Sequence, residues 1–189
     1  MQSPNSCKYE SEDAITEWAN GCNGKEVEFI KPIATILHKD YKKMSFKVFE
    51  DKMAWDADEY EVVLKKGGDR AETVDFVVGL ANHQLLMVEA KLNVVKVDNL
   101  KQEIEEKIIH TKRYLVSSTT FRSCATPSIV LLGNKKNNIQ QNINKFMRLR
   151  SYKRDIQAMS LDTFYERYFE WNINFIFYKY KNYAFCTIL

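Results

Sequence analysis

The sequence predicts an α/β fold, a mixed β-sheet covered by helices. Three observations carry that expectation. The order of elements runs helix, strand, hairpin, helix, strand and then a further helical and β segment, so both periodicities occur in one chain. Only 3 Pro and 6 Gly interrupt 189 residues, which leaves most of the chain free to be regular. Hydrophobic residues at 45% and charged residues at 28% exclude a disordered or fibrous chain. A single domain over 1–189 is expected, long enough to bury about 70% of the surface its unfolded chain exposes.

The elements follow in order. Ser11 is an N-cap candidate for a helix over 11–22, with acids Glu12 and Asp13 in its first turn and Ala14, Ile15, Trp18, Ala19 and Cys22 on one face. Residues 27–37 are interrupted by Pro32, after which Ile33, Ile36 and Leu37 suit a helix. Residues 41–55 mix Phe46, Val48 and Phe49 with charge and suit a strand and turn. Alternation of Tyr60, Val62 and Leu64 predicts a strand over 60–64, closed by Gly67-Gly68. Two apolar runs, 74–80 and 85–92, flank a short turn around Asn82-His83 and predict a hairpin.

Asp98 caps a helix to about Val116, with Val97, Leu100, Ile104, Ile108 and Leu115 on one face. Pro127 introduces a strand over 128–132 that ends at Gly133-Asn134. Helices are expected over 139–149 and 161–169. Two aromatic strands, 173–180 and 183–189, turn at Lys181-Asn182. No internal repeat or low-complexity linker divides the chain.

The net charge of +3 hides an asymmetry. Residues 1–94 hold 12 Lys plus Arg against 17 Asp plus Glu, a balance of −5; residues 95–189 hold 16 against 8, a balance of +8. The excess peaks at Lys135, Lys136, Lys145, Arg148, Arg150, Lys153 and Arg154, a stretch with no acid and with Phe146 and Tyr152 among the bases. Such a segment suits a nucleic-acid backbone, or equally a solvated helix face and loop.

Residues 1–10 are polar and lack the apolar stretch of a signal peptide, and no apolar run approaches the roughly 20 residues that span a bilayer. The cysteines (Cys7, Cys22, Cys124 and Cys186) are scattered, without a CxxC pair or zinc-ligand spacing. Free thiols in a cytoplasmic protein with no membrane contact are therefore expected.

Acids in apolar strands carry the chemistry. Asp75 sits within Thr73-Val74-Asp75-Phe76-Val77-Val78, and Glu89 and Lys91 sit within Leu86-Met87-Val88-Glu89-Ala90-Lys91-Leu92. A buried unpaired charge costs several kcal/mol in effective terms, so these groups need partners. Alternation puts Glu89 and Lys91 on one face. Two carboxylates brought together there repel unless a cation joins them, and hard oxygen ligands suit Mg²⁺. A structural ion pair without chemistry is the alternative.

Register sets a condition on the site. A regular two-residue Asn82-His83 turn would pair Asp75 with Ala90 and put Asp75 on the wrong face. A three-residue or otherwise odd loop, or a bulge, is therefore required. An acid two residues before a lysine is common here: Asp40/Lys42, Glu50/Lys52, Glu89/Lys91 and Glu105/Lys107. Only Glu89/Lys91 lies in an apolar strand that follows a second apolar strand bearing an acid.

Asp75, thirteen intervening residues and then Glu89-Ala90-Lys91, with a helix before and a helix and strand after, resembles the PD-(D/E)XK nuclease superfamily over residues 11–135. Val74 stands where the family has Pro. The resemblance implies a restriction-endonuclease-like core at 11–135, three-layer α/β/α with a central mixed sheet. Residues 136–189 would be a C-terminal helical and β-hairpin extension packed on it. It also implies a Mg²⁺-dependent nuclease, with Mn²⁺ as substitute, acting on DNA in preference to RNA. Asp75, Glu89 and the Ala90 carbonyl would then bind the metal, and Lys91 would orient the attacking water. Many members carry a helix-borne acid before the core. Glu12 and Glu17 are the candidates, and Glu12 lies nearer the apolar face, about 90° from its centre against about 130° for Glu17. His110 and Tyr114 match the spacing of a Gln-x-x-x-Tyr motif found in some members, with His in place of Gln.

No P-loop, GxSxG, HExxH or Gly-rich dinucleotide turn offers a rival chemistry. Two other readings stand beside the nuclease. One is a non-catalytic protein of the same fold that binds nucleic acid or a protein partner. The other is an interaction protein whose aromatic C-terminus, 171–185, forms a partner or homodimer surface.

Overall fold

Paired acids can face each other only if the strands bearing them are adjacent and in the right register, and the sheet provides both. The computed structural model describes residues 9–22, 24–64, 71–94, 97, 100–115, 123–133, 138–149 and 155–170. Four strands, β1 (Ile30–Pro32), β2 (Met53–Asp56), β3 (Phe76–Gly79) and β4 (Gln84–Lys91), are successive antiparallel neighbours. A two-residue strand, β5 (Ser123–Cys124), runs parallel beside the start of β4. Parallel to the remainder of β4 lies β6 (Ser128–Leu132), and parallel to that β7 (Ile156–Met159), which makes a mixed sheet of seven strands among the described residues. Parallel neighbours need long crossovers. The chain uses α4 (Leu100–Leu115) between β4 and β6, and α5 (Ile139–Leu149) between β6 and β7.

Alternation then decides what each face buries. Phe76, Val78, Leu86, Val88, Ala90, Ile129 and Leu131 pack under α2 (Ile33–His38), Phe49 and α6 (Leu161–Tyr168). On the opposite face, Val77, Leu85 and Met87 meet Ile15 and Trp18 of α1 (Glu12–Gly21) together with Leu115 of α4. Val130, Leu132, Ile156 and Ala158 meet Ile104 of α4 and Phe146 of α5. Helices thus cover both faces of an open sheet, the α/β arrangement expected from the element order. Among the described residues no helix is long and apolar enough to cross a membrane.

Several local expectations change. Residues 60–64 are helical, the end of α3 (Ala57–Leu64), not a strand. The N-cap decides this. Asp56 Oδ1 accepts from the Glu59 backbone N–H at 3.0 Å, and acids at 58 and 59 occupy the first turn. The helix turns Ala57 and Glu61 inward and leaves Val62, Val63 and Leu64 exposed, so the alternating apolar pattern is incidental. Residues 41–55 hold a 3-10 turn, Lys47–Phe49, and most of β2, while α2 starts directly after Pro32. The sheet also runs past the 135/136 boundary, because β7 lies in the stretch read as an extension. The aromatic strands expected over 173–189 lie outside the described residues, as does Asp98.

The β3–β4 turn has three residues, Ala81-Asn82-His83. Leu80 N–H donates to the Gln84 carbonyl at 2.9 Å, and His83 N–H to the Leu80 carbonyl at 2.8 Å. His83 adopts the left-handed conformation, φ 58°, that closes this loop type. A non-glycine residue there costs about 1 kcal/mol. His83→Gly is therefore expected to stabilise the fold by up to ~1 kcal/mol, read from the denaturant midpoint. A loss would show that the His83–Glu17 contact, 3.1 Å between exposed side chains, outweighs backbone strain.

Candidate metal and phosphodiester site

The three-residue turn fixes the register Phe76↔Val88 to Gly79↔Leu85. One step beyond the ladder, the same register sets Asp75 opposite Glu89. Both side chains then belong to one face, as the site requires. They lie at the sheet edge where β3 begins and β4, β6 and β7 end.

Glu89 is 1% exposed. Its Oε1 is shared by two ammonium groups, Lys107 Nζ at 2.8 Å and Lys91 Nζ at 3.0 Å. Its Oε2 is buried without a hydrogen-bond partner. Lys91 also donates to Glu103 Oε1 at 2.6 Å. Burial opposes the charge on Lys91, but Glu89 and Glu103 more than offset it and hold the ammonium above the usual lysine range. Lys107 is raised likewise, burial being outweighed by Glu89. Both lysines are fully charged at neutral pH.

Asp75 is half-buried just before β3, and its Oδ2 accepts from the Ala90 N–H at 2.6 Å. Burial first, and the Glu89 charge second, push its carboxyl up to about 8, against the Ala90 hydrogen bond and the two lysines. The Ala90 carbonyl accepts from the Tyr41 hydroxyl at 2.8 Å. Burial pushes that hydroxyl up to about 12, so it remains a donor. Beside Asp75, toward β2, opens a small cleft whose lining includes Lys39, Asp40, Tyr41, Asp56, Asp58 and Asp75. Asp56 is fully buried there and pairs with Lys39 at 2.5 Å.

The structure brings Asp75, Glu89, Ala90 and Lys91 together and leaves Glu12 apart. Ser11 N–H donates to the Gly79 carbonyl at 2.8 Å, which seats the start of α1 at the turn end of β3, away from Asp75. Glu17 also lies at that end, beside His83. The expected helix acid is therefore not supplied by α1. Lys145 and Arg148 are exposed on α5; Lys135, Lys136, Arg150, Lys153 and Arg154 lie outside the described residues. Tyr114 hydrogen-bonds Glu61, and His110 Nδ1 is buried without a partner. Neither contact joins the acid pair.

Family models, curated proteins and solved structures offer no match to this chain. The residues alone decide how the site is read.

Sequence reasoning missed Lys107, Glu103, Thr111 and Tyr41. Three of them carried a signal. At 100° per residue, Lys107 and Thr111 fall within or beside the arc of Leu100, Ile104, Ile108 and Leu115, with Glu103 one turn away. A lysine on the apolar face of a covering helix needs a buried acid beneath it. Tyr41 lies in an irregular segment and carried none.

The donor set fits a hard divalent cation. Among the described residues no group of three His, Cys, Asp or Glu side chains is arranged to hold a metal. Two carboxylates and a carbonyl are nevertheless sufficient for Mg²⁺, which keeps several waters and binds substrate phosphate. Added positive charge near the pair would offset both the unpartnered Glu89 Oε2 and the raised Asp75 carboxyl.

Proposed function

We propose that the protein is a Mg²⁺-dependent phosphodiesterase that hydrolyses nucleic acid, DNA in preference to RNA. The register that sets Asp75 opposite Glu89, whose buried Oε2 has no hydrogen-bond partner, carries this reading. Asp75 and Glu89 would hold the cation, and the second lone pair of the Ala90 carbonyl completes the protein's share. A cation there supplies Lewis-acid polarisation of the phosphoryl oxygen and lowers the pKa of a bound water. Lys91, at the end of β4, orients the water that attacks phosphorus and adds positive charge beside the pentavalent centre as the bond to the leaving oxygen breaks. Burial of Glu89 keeps bulk water from that carboxylate. Exposed Lys145 and Arg148 contribute backbone affinity that weakens with salt.

One observation favours a second reading, a non-catalytic protein that binds nucleic acid or a protein partner. Glu89 Oε1 already meets two ammonium groups, so its charge is compensated without a metal. Cleavage of single- and double-stranded DNA and RNA, with Mg²⁺ or Mn²⁺, separates the two. Metal-dependent cleavage is expected from the wild type, reduced ~10²-fold or more in Lys91→Ala. Equal activity in both proteins would remove Lys91 from the mechanism. Binding without cleavage would establish the second reading.

A further inference from the structure

The helix that covers the acid pair holds both of its strands. On successive turns of α4, Lys107 Nζ donates to Glu89 Oε1 at 2.8 Å, and Thr111 Oγ1 accepts from the Val74 backbone N–H at 2.9 Å. Val74 immediately precedes Asp75. Thr111 is fully buried, and its hydroxyl donates to the Lys107 carbonyl at 2.9 Å, tying the two contacts to each other. One helical segment is thus fastened to β4 through a side chain and to the approach of β3 through the backbone.

The two oxygens of Glu89 are treated differently. Oε1 takes both ammonium groups, and Oε2 takes none. A lysine that blocked the carboxylate altogether would sit across both oxygens. Here the ammonium groups crowd one oxygen and leave the other bare.

We propose that Lys107 and Thr111 form a clamp that positions the Asp75–Glu89 pair for a divalent cation, with Lys107 fixing Glu89 so that Oε2 is the donor. Lys107 is a positioning residue in this scheme and does not touch the reacting atoms. The inference rests on the metal-site reading above and assigns α4 a role in it. Groups that orient a metal ligand typically alter metal affinity 10- to 100-fold when removed.

The test is calorimetric titration of the 189-residue chain with Mn²⁺, which reads binding without cleavage. Lys107→Met is expected to weaken Mn²⁺ binding at least ~10-fold, and Lys107→Arg to restore it to within about threefold of wild type. Thr111→Val is expected to weaken it in the same direction, and Thr111→Ser to restore it. Circular dichroism melts without metal establish that each variant is folded. Where Lys107→Met is not, Lys107→Gln takes its place. Mn²⁺ binding by Lys107→Met that is unchanged or tighter would overturn the clamp while leaving the metal site intact, since tighter binding identifies Lys107 as a competitor. A wild type that binds no Mn²⁺ would overturn both the clamp and the site.

Discussion

Asp75→Asn should abolish metal-dependent cleavage, by ~10³-fold or more, and at the same time make the metal-free protein harder to unfold at alkaline pH. The loss follows from removing one of the two carboxylates proposed to hold the cation, an interaction worth several kcal/mol at the transition state. The gain follows from linkage. Burial and the Glu89 charge raise the folded-state carboxyl to about 8 from an ordinary 3.8. Between those values the folded state binds a proton that the unfolded state has released. Stability therefore falls as pH rises through this window and has lost the full contribution above about 8. Asn keeps an oxygen for the Ala90 N–H and carries no charge, so the fall disappears. Melting temperatures at pH 5, 7 and 9 without metal measure it: the wild type declines, and the variant stays nearly level and several degrees higher at pH 9. A parallel decline in both would place the titrating group elsewhere. Mg²⁺ at pH 8 should raise the wild-type melting temperature and leave that of the variant unchanged.

Gly133→Ala should be strongly destabilising. An added Cβ would lie 2.7 Å from Leu92 Cα and 2.8 Å from its carbonyl carbon, and would collide with the carbonyl oxygen as well. These are backbone atoms at the end of β4, one residue past Lys91, and no rotamer change relieves the contact. Gly133 N–H also donates to the Lys91 carbonyl at 3.3 Å, so the strain falls on the site's edge of the sheet. A cost of about 3 kcal/mol is expected, seen as a melting temperature lower by roughly 6–12 °C. Gly24→Ala is the comparison: φ is 80° there but nothing lies within 4 Å, so only the left-handed backbone penalty of about 1 kcal/mol applies. Equal effects at the two positions would mean that the β4 end yields readily. The site reading would then lose the rigidity it depends on.

How much of this was legible in the chain depends on which contacts are local. The hairpin, the helices at 139–149 and 161–168 and the strand at 128–132 were readable because period and punctuation agree within each segment. The short strands β1, β2 and β7 were not. Three or four residues are too few to show a period, and they become strands only because a neighbour offers a ladder. The 60–64 stretch misled because a side-chain cap at Asp56 outranked an apolar alternation. The acid pair was legible as charges inside apolar runs. Its surroundings were not: Tyr41 reaches Ala90 across 49 positions of sequence and Lys107 reaches Glu89 across 18, and spacing rules do not extend to such pairs. Glu105/Lys107 falls on a helix, and an acid two residues before a lysine does not tell that Lys107 itself points at the core.

The three-residue turn has one consequence for change over time. Both arms of the hairpin count outward from it, and the two acids occupy matching positions on those arms. Adding or deleting one residue in either arm would present Asp75 and Glu89 to opposite sides of the sheet, whereas one residue added to both would carry the pair outward together. Length variation in this hairpin is therefore tolerable only in matched steps. A chain that retained both acids but differed by a single residue in one arm, without a compensating bulge, would keep the composition of the site and lose the site itself.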